Sequence, residues 1–490
     1  MRTVSQPELF PRFSTLLNSP AGSLLALRGA SLSQLDAFFA PFLPPHLLSP
    51  ADDGPNSRER IYSLRRTFWA FLSQTLKPHT SCNEVALQVV ALAGLSDPGK
   101  LKAHSSTYCT ARQRLPRECA DRAFRECARA ADQRAGTHGH LAGRPVRVVD
   151  ASSVQLPDTA LNQKRFPQPK PQKPGCGFPV MKLGALFSLS SGALSAVEFR
   201  GLDWSDLRLF RALWEHLRPG DIVLGDRAFG DFVSLAMLPG RGVDLVARLH
   251  QRRMPDFRTA QRRLGPGDAV FRWTKPWVRP PHLSQEDFDA LAKTLDVRVI
   301  RVRIDEPGFR TRLVYLATTL LDAEKYPAAE LAALYRRRWR LELCFRDLKT
   351  TMKMEMLRCQ SPAMAEKECL FFLIAYNLMR VLMAEAASRH GARLERLSFK
   401  SAIDALRQFS LARAQARNAK QRRDAEAELL RVVASGTVPE RPGRREPRAV
   451  KRRPKPFALL TQPRHKYREI PHRNRYTLDT AGKAPRNSKA

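Results

Sequence analysis

The pattern of apolar and polar positions changes along the chain, and its first part predicts helices. Residues 1–140 have the spacing of a helical region that is also basic. A helix start is indicated by the Ser-x-x-Glu spacing at Ser81, and Gly94 ends the apolar pattern that follows. A second short helix is expected from Ser105 to just before Pro116. The region is therefore interpreted as packed helices that end in a helix pair.

After this region the apolar positions fall into short β-branched runs, which predict strands. One run ends at Asp150, and a later one leads into Asp226. Between them lie two apolar runs joined by Ser-Ser-Gly, which indicate a hairpin, and an amphipathic helix that Ser205 would cap. Strand, hairpin, helix and strand in this order favour a mixed α/β fold.

Three further strands are predicted at 268–273, 297–304 and 309–318, with a turn at 306–308. The middle strand alternates apolar residues with Arg301 and Arg303. Its cationic face could follow a phosphate backbone or could simply be solvated. Pro327 then opens a long helix, and an apolar helix over about 366–387 is expected to be buried behind it.

The helix after Pro327 carries an unusual polar stripe. Residues at offsets 0, 3, 7 and 14 fall at roughly 0°, −60°, −20° and −40° around an α-helix; they are Tyr335, Arg338, Glu342 and Lys349. An apolar stripe suited to a core lies beside them, formed by Leu334, Leu341, Phe345, Leu348 and Met352. A glutamate between cations suits a metal ion and a phosphate group. The same pattern could also be an exposed helix with surface ion pairs.

Composition adds a strong positive charge to this picture. The 490 residues hold 83 Lys and Arg against 47 Asp and Glu, a net charge of +36, which favours nucleic acid before an acidic membrane as partner. Eight cysteines without a Cys-x-x-Cys pair argue against a zinc ribbon or disulfide framework and for a reducing cytosol. The N-terminus lacks an apolar signal segment, and the apolar run 370–384 is short for a bilayer, so a soluble protein is expected.

This charge bears on both ends of the chain. The second helix of the N-terminal pair carries the donors Tyr108 and Arg112, which could read DNA as in a helix-turn-helix; plain helical packing is the alternative. At the other end, residues 441–490 hold 16 Lys and Arg against 3 Asp and Glu in a proline-rich segment. Such a tail is expected to be extended and to add salt-dependent affinity for DNA.

Three acids are candidates for a two-metal site. Asp150 and Asp226 are 76 residues apart and each closes an apolar run, and Glu342 follows after 116 more. Ligand sites in α/β sheets lie beyond strand ends, so these carboxylates could meet there, although each Asp taken singly could be an ordinary turn residue. Carboxylates suit Mg²⁺, and two such ions can clamp the attacking and leaving oxygens of a phosphodiester.

The chain resembles bacterial DDE transposases of the insertion-sequence-four family, whose ribonuclease H-like core carries Asp, Asp and Glu. The family places its last acid in the pattern Tyr, two residues, Arg, three residues, Glu, six residues, Lys, and 335–349 keeps every spacing. Similar segments are VDAS at Asp150, GDRAF at Asp226, MEMLRCQSP at 354–362 and STYCTARQRLP at 106–116. The resemblance covers roughly residues 60–470 and departs from the family at Ala228, where relatives often have glycine.

The resemblance implies an α/β fold with a ribonuclease H-like catalytic core, a mixed sheet with flanking helices that a β-rich insertion interrupts. On this basis the chain divides into a helical N-terminal DNA-binding region 1–140, the first part of the core 141–249, the insertion 250–321, the second part of the core with the catalytic Glu helix 322–400, and a basic C-terminal region 401–490.

The resemblance also implies cut-and-paste transposition. Cleavage at the element end would free a 3′ hydroxyl, which forms a hairpin with the opposite strand before the end is joined to target DNA. Asp150, Asp226 and Glu342 would be catalytic and hold Mg²⁺, with two ions expected. DNA contacts are assigned to Tyr335, Arg338, Lys349 and Arg227, and to Tyr315 as an aromatic that stacks on a flipped base, although a strand tyrosine is also common in a core.

The implied partners are double-stranded DNA, as terminal inverted repeats and as target, and a second copy of the chain in the synaptic complex. No membrane partner is expected, and the implied location is the bacterial cytoplasm, on the nucleoid. Two alternatives stay open: a catalytically silent, transposase-derived DNA-binding repressor, and a ribonuclease H-like nuclease that joins no strands. The three acids and both cations weigh against the first, and the Tyr, Arg, Glu, Lys pattern weighs against the second.

Overall fold

A mixed β-sheet with helices on both faces forms the centre of the protein and confirms the predicted α/β fold class. The computed structural model of the chain describes residues 39–49, 61–77, 79–93, 104–250, 253, 255–281, 283–304, 313–338, 341–439, 462, 463 and 466. The predicted turn 306–308, Gly94 and almost all of the basic tail lie outside these residues.

The strands of the described residues form one sheet. They are β1 Val146–Gln155, β2 Val180–Ser188, β3 Leu194–Arg200, β4 Ile222–Gly225, β5 Asp244–Arg248, β6 Arg262–Gly265, β7 Asp268–Thr274, β8 Thr294–Arg303 and β9 Leu313–Thr318. Their order is β3-β2-β1-β4-β5-β9-β8-β7-β6. The pairs β1–β4 and β4–β5 are parallel, and the other neighbours are antiparallel. Strands β6 to β9 therefore extend the same sheet beyond β5.

The first strand does not end at Asp150, as the sequence pattern predicts, but continues to Gln155. Residues 151–155 are short or polar and carry a weak strand signal, yet β2 supplies antiparallel partners along this whole stretch, as between Ser153 and Lys182. Tertiary pairing overrides local propensity here. The parallel pairing with β4 stops earlier, at Val148 and Leu224, so Asp150 still lies just past that pairing.

The described helices are α1 Leu64–Leu76, α2 Cys82–Ala93, α3 Ser105–Arg114, α4 Arg117–Ala135, α5 Ala160–Arg165, α6 Asp206–Leu213, α7 Phe232–Met237, α8 Gln285–Asp289, α9 Ala328–Arg337, α10 Leu341–Arg346, α11 Pro362–His390, α12 Phe399–Gln415 and α13 Ala419–Ser435. A π-helical turn, Asp347–Thr351, follows α10. Ser81 accepts the N–H of Glu84 at 3.1 Å and Ser205 that of Arg208 at 3.2 Å, which confirms both predicted helix starts.

Helix α11 is the core helix of the protein and is longer than the predicted apolar run. By length and composition alone it could cross a membrane, but 83% of its most apolar window is buried inside the protein. Phe371 stacks on Phe71 of α1 with ring centres 4.2 Å apart, and Asn377 accepts the N–H of Leu194 in β3 at 2.9 Å. The polar residues that interrupt the run therefore serve contacts with the sheet, and α11 joins the N-terminal helices to it.

A buried ion pair fixes the connection that leads into α9. Arg298 of β8 is fully buried, and its Nε and Nη2 donate to both carboxylate oxygens of Asp268 in β7 at 2.8 and 2.6 Å. Its Nη1 donates to the main-chain carbonyls of Leu320, Asp322 and Tyr326 at 3.2, 3.3 and 2.8 Å. One guanidinium thus ties two strands to the segment that precedes the helix of the polar stripe.

Candidate active site

Two of the three predicted acids occupy equivalent positions just past the parallel pairing of neighbouring strands. Strands β1 and β4 pair with a constant offset, in which Val148 lies opposite Leu224. The same offset of 76 residues separates Asp150 from Asp226, so continuing the register by two residues sets them side by side. Adjacent strands lie about 4.8 Å apart, and both aspartates are half-buried. The two carboxylates therefore share one edge of the sheet.

Arg248 belongs to the same row and was missed by the sequence analysis. Strands β4 and β5 pair Gly225 with Ala247, and one more step sets Arg248 beside Asp226. Side chains alternate along a strand, so Asp150, Asp226 and Arg248 point to the face that holds Val148, Leu224 and Val246 in the larger core. That face is covered by α9 and α11. We call these three residues the charged row.

Main-chain hydrogen bonds fix both carboxylates of the charged row. The Asp226 carboxylate accepts the N–H of Ala228 at 2.7 Å, and the Asp150 carboxylate accepts the N–H of Ala151 at 2.8 Å. Gly225 is required by the turn, since a Cβ there would lie 2.7 Å from the Cβ of Phe229. Alanine at 228 leaves the hydrogen bond to Asp226 intact, so the departure from the family does not displace this acid.

Tyr335 and Arg338 are buried more deeply than the helix pattern predicts, with exposures of 3% and 8%. The guanidinium carbon of Arg338 lies 5.5 Å from the centre of the Tyr335 ring. Burial raises the pKa of Tyr335, and the charge of Arg338 opposes this rise. Asp226 raises the pKa of Tyr335 as well, and Arg248 lowers it. Tyr335 is therefore within electrostatic reach of the charged row. Among the described residues, Arg338 Nε has no hydrogen-bond partner, so a buried donor is left for an anion.

Helices α9 and α10 contact different strands of the sheet around the charged row. Tyr335, earlier in the chain, is near Asp226 and Arg248, and Phe345, later in the chain, packs edge-on against Phe187 of β2 at 5.1 Å. Strand β1 lies between β4 and β2 in the sheet, and therefore between these two contacts. The backbone of Glu342 lies in α10, whereas its side chain, like residues 339 and 340, falls outside the described part of the chain.

Lys349 lies in the π-helical turn and not on a regular α-helix. The N–H of Met352 bonds to the carbonyl of Asp347 at 2.9 Å, a bond that spans five residues. The angle that an α-helix predicts for Lys349 therefore does not apply, although Leu348 and Met352 are buried as expected. Burial lowers the pKa of Lys349, and Glu355 opposes this effect.

Asp347 in the same turn is half-buried, and burial raises the pKa of its carboxyl to about 6 against the opposing effects of Arg346 and Arg380. A raised pKa in the folded state means that the protonated acid favours folding. This contribution is complete below the unfolded value of 3.8 and is lost as the pH rises through about 6.

Replacing Asp347 with asparagine is therefore expected to raise the free energy of unfolding by about 2 kcal/mol at pH 8 and by about half as much at pH 5. Urea unfolding at the two pH values measures this gain. Asp424→Asn, at an exposed position of α13, serves as the control and is expected to change stability by less than about 0.5 kcal/mol. A gain from Asp347→Asn that does not depend on pH would contradict the assignment.

The other DNA contacts predicted in the core differ in their placement. Arg227 is exposed next to Asp226 and can reach a bound strand. Tyr315 is half-buried on β9, with its ring 6.3 Å from that of Phe257, and packs in the smaller core on the other face of the sheet. The structure therefore does not bring Tyr315 to the charged row.

The sequence predicts Tyr108 and Arg112 as DNA contacts, but both residues lie in the interior of the protein. Tyr108 is fully buried and donates to Gln74 of α1 at 3.0 Å, and Arg112 is 8% exposed with its guanidinium 4.8 Å from the centre of the Phe71 ring. Both residues thus brace α3 against α1 and do not suit DNA contact in this arrangement. The outward face of α3 carries Ser106, Thr107, Thr110 and Gln113.

Helix α3 is held to the core through its carboxyl end. The ammonium group of the buried Lys367, on α11, donates to the carbonyls of Arg112, Gln113 and Leu115 at 3.1, 3.1 and 2.7 Å. These are carbonyls that a helix end leaves without a partner. Lys367 therefore adds a link from α3 to the core helix to those that Tyr108 and Arg112 make with α1.

Elsewhere, Glu198, Glu215 and His216 bring three possible ligand atoms within 4.8 Å of one another. They lie on β3 and on the turn after α6, away from the charged row. Glu198 is already paired with Arg200 at 2.7 Å, and Glu215 with His216 at 3.4 Å. This cluster is explained by ion pairs, whereas the carboxylates of the charged row supply the hard oxygen donors that Mg²⁺ prefers.

Comparison with known proteins finds similar chains among transposases. Residues 141–378 match the family described as "Transposase DDE domain". The chain is 28% identical over 429 residues to the transposase InsG for insertion sequence element IS4 of Escherichia coli (strain K12), an alignment that covers 84% of this chain and 91% of that protein.

Among solved structures, the chain is similar to the cryo-EM structure of a piggyBac transposase synaptic complex with hairpin DNA. The TM-score is 0.40 at 11% identity, over 86% of this chain and 87% of that chain, which is too low to transfer function. The matched domain contains Asp150, Asp226 and the helix of Glu342. Residues 141–378 therefore match a transposase DDE domain, and most of the chain is similar to a transposase of an insertion sequence element.

Proposed function

We propose that this transposase moves an insertion sequence by binding its terminal inverted repeats, cutting at the element ends and joining them to target DNA. One observation supports the proposal: the strand registers align Asp150, Asp226 and Arg248 in one row just past the parallel pairing of β1, β4 and β5, on the face that α9 covers. Acids and a guanidinium at one sheet edge match the charges of a phosphodiester and the cations that accompany it.

The donor set of the charged row fits Mg²⁺. Asp150, Asp226 and Glu342 would hold the metal, with two ions expected, since carboxylates are the ligands that a hard divalent cation prefers. When bound, the ions supply Lewis-acid stabilisation of the attacking and leaving oxygens in an in-line displacement. The main-chain hydrogen bonds to both aspartates orient their oxygens before any ion binds.

The cations around the row bind the DNA strand. Arg338 offers its buried Nε, held in place by the Tyr335 ring, to a phosphate oxygen at the row. Arg248 neutralises the same phosphate from the β5 side. Arg227 and Lys349 contact the backbone on either side of it. Such contacts position the scissile bond and carry no sequence information.

The finer parts of the proposal concern the reaction and its assembly. The freed 3′ hydroxyl attacks a phosphodiester of the opposite strand, which closes a hairpin at the element end and releases the flanking DNA with a 3′ hydroxyl. Water then opens the hairpin and restores the 3′ hydroxyl that joins the target, while two copies of the chain hold two ends in a synaptic complex. Residues 1–140 and 401–490 add DNA contacts on either side of the core, and 250–321 is the β-rich insertion. The protein acts on chromosomal DNA in the bacterial cytoplasm, where it associates with the nucleoid.

The proposal is tested with purified protein, Mg²⁺ and a plasmid that carries both ends of the element. Nicked, hairpin-ended and finally joined products are expected, and a plasmid with scrambled ends or an excess of chelator is expected to give none. Nicked products without any joined strands would indicate a nuclease. Binding to the ends without cleavage would indicate a repressor.

A further inference from the structure

A cationic cavity lies between the N-terminal helices and the segment that follows the π-helical turn. It has a volume of about 420 Å³, and its wall includes Phe71 and Phe372. Five basic side chains line it: Lys77, His79, Lys349, Lys353 and Arg358. The main chain of Glu355 and Leu357 bonds to Gln155 at 3.0 Å, which places the cavity at the end of β1. The cavity therefore continues the strand that carries Asp150.

Two of the basic residues occupy backbone conformations that favour glycine. Lys353, after the π-helical turn, has φ +64°, and His79, after α1, has φ +68°. A residue in the left-handed region often ends a helix, and glycine or asparagine is the usual choice because a Cβ is strained there. A cationic or imidazole side chain at both positions is thus not explained by helix termination, and both side chains line the cavity.

Two acids, Glu355 and Glu368, also line the cavity, and they offset only part of its positive charge. Glu368 accepts the N–H groups of Arg358 and Cys359, both at 2.9 Å, so this acid serves the main chain. Within the ranges that the structure describes, no ion pair links Lys77, Lys349 or Lys353 to an acid. Burial lowers the pKa of Lys77 and of Lys349, against the opposing effects of Glu84 and Glu355.

We propose that this cavity is a binding site for backbone phosphates of the DNA strand that leaves the charged row, with Lys77 and Lys353 as its principal contacts. The inference rests on the proposed function and extends the DNA path beyond the charged row. Cationic donors on apolar walls suit a phosphate, whose charge they neutralise out of bulk water.

A basic helical hairpin continues the same surface. Arg407 of α12 donates to the carbonyl of Leu76, which directly precedes Lys77. The tip of the hairpin beyond it exposes Arg417, Lys420, Arg422 and Arg423. A strand that occupies the cavity would therefore meet further cations on leaving it, which favours an extended polyanion over a small phosphate ligand.

The test uses two substitutions and a matched control in the full-length protein. Lys353→Gly removes a cation while it relieves the left-handed backbone, and Lys77→Gln removes the cation on the other wall. Arg218→Gln is the control, because Arg218 is exposed just before β4, at the sheet edge opposite the charged row. The affinity for a duplex of the element end is measured by fluorescence anisotropy over a range of salt concentrations, with thermal unfolding of each variant.

Each cavity variant is expected to bind this duplex about tenfold more weakly. The slope of its log affinity against log salt concentration is expected to be shallower by roughly 0.9. Lys353→Gly is expected to melt at the native temperature or above. If the cavity variants have the same affinities and salt slopes as Arg218→Gln, the cavity is not a DNA-binding site, and the proposed function stays intact. Inorganic phosphate is also added to the binding assay. If the cavity variants keep the native salt slope and lose only their sensitivity to added phosphate, the cavity binds a small phosphate ligand and the DNA assignment is overturned. If the native protein does not bind the duplex, the proposed function fails and the cavity with it.

Discussion

Replacing Glu342 with glutamine is expected to lower DNA cleavage by about a thousandfold or more while the affinity for element ends changes by less than about twofold. Glutamine has the same shape but cannot offer an anionic oxygen to a hard divalent cation. A metal at such a site contributes several kcal/mol to stabilising the transition state, whereas binding depends on many phosphate contacts. Cleavage rates under single-turnover conditions and anisotropy binding separate the two effects.

Glu330→Gln is the matched control for this experiment. Glu330 lies exposed near the start of α9, the helix that precedes α10, so its replacement makes the same chemical change away from the charged row. Native rates are expected for this control. Cleavage by Glu342→Gln at more than about a tenth of the native rate would place the third acid elsewhere, since loss of a metal ligand costs far more than tenfold.

Replacing Asp268 with asparagine is expected to lower the free energy of unfolding by about 3–5 kcal/mol. The substitution leaves Arg298, whose side chain is 0% exposed, as a buried charge without its counter-ion. The carbonyls of Leu320, Asp322 and Tyr326 cannot replace a carboxylate for this guanidinium. Chemical denaturation with urea measures the loss. A lower rate of DNA cleavage is also expected, because the connection into α9 is no longer anchored.

The same two strands supply the control for this prediction. Arg272 of β7 and Asp296 of β8 pair at 2.9 Å with exposures of 50% and 40%. Asp296→Asn therefore breaks an equivalent cross-strand pair in water, and a loss of no more than about 1 kcal/mol is expected. Equal losses from the two variants would show that burial of Arg298 is not what makes the first pair important.

The features that the sequence predicts correctly are those written in local patterns. The starts of α2 and α6 follow from Ser81 and Ser205, whose hydroxyls bond to the main chain three residues on. The hairpin and the strand before Asp226 follow from apolar runs between turn residues. The alternation of Arg301 and Arg303 with apolar residues is likewise confirmed, since both arginines are exposed on β8.

The features that local sequence patterns do not predict depend on pairing between segments that are distant in the chain. Arg248 ends an ordinary apolar run, and only the register of three strands aligns it with Asp226. Lys77 and Lys353 are separated by most of the chain before the fold sets them around one cavity. The extent of β1 depends on β2 for the same reason.

Residue type was misleading where a polar residue is buried. Tyr108 and Arg112 are good donors and are predicted as DNA contacts, but they face Gln74 and Phe71, while the outward face of α3 holds less conspicuous residues. Arg298 did carry a signal: it stands two residues before Ile300, at a position of β8 that alternation assigns to the buried face. An arginine at such a position requires a buried acid, and Asp268 is its partner.

The register of β1 and β4 has a consequence for how this chain can change. The separation of Asp150 and Asp226 is set by the spacing of adjacent strands, about 4.8 Å, and not by the chain that runs between them. Segments such as the loop between α5 and β2 can therefore lengthen or shorten during evolution without moving either carboxylate. The distance between the two carboxylates is a property of the paired strands, so the loops can change in length and sequence without altering it.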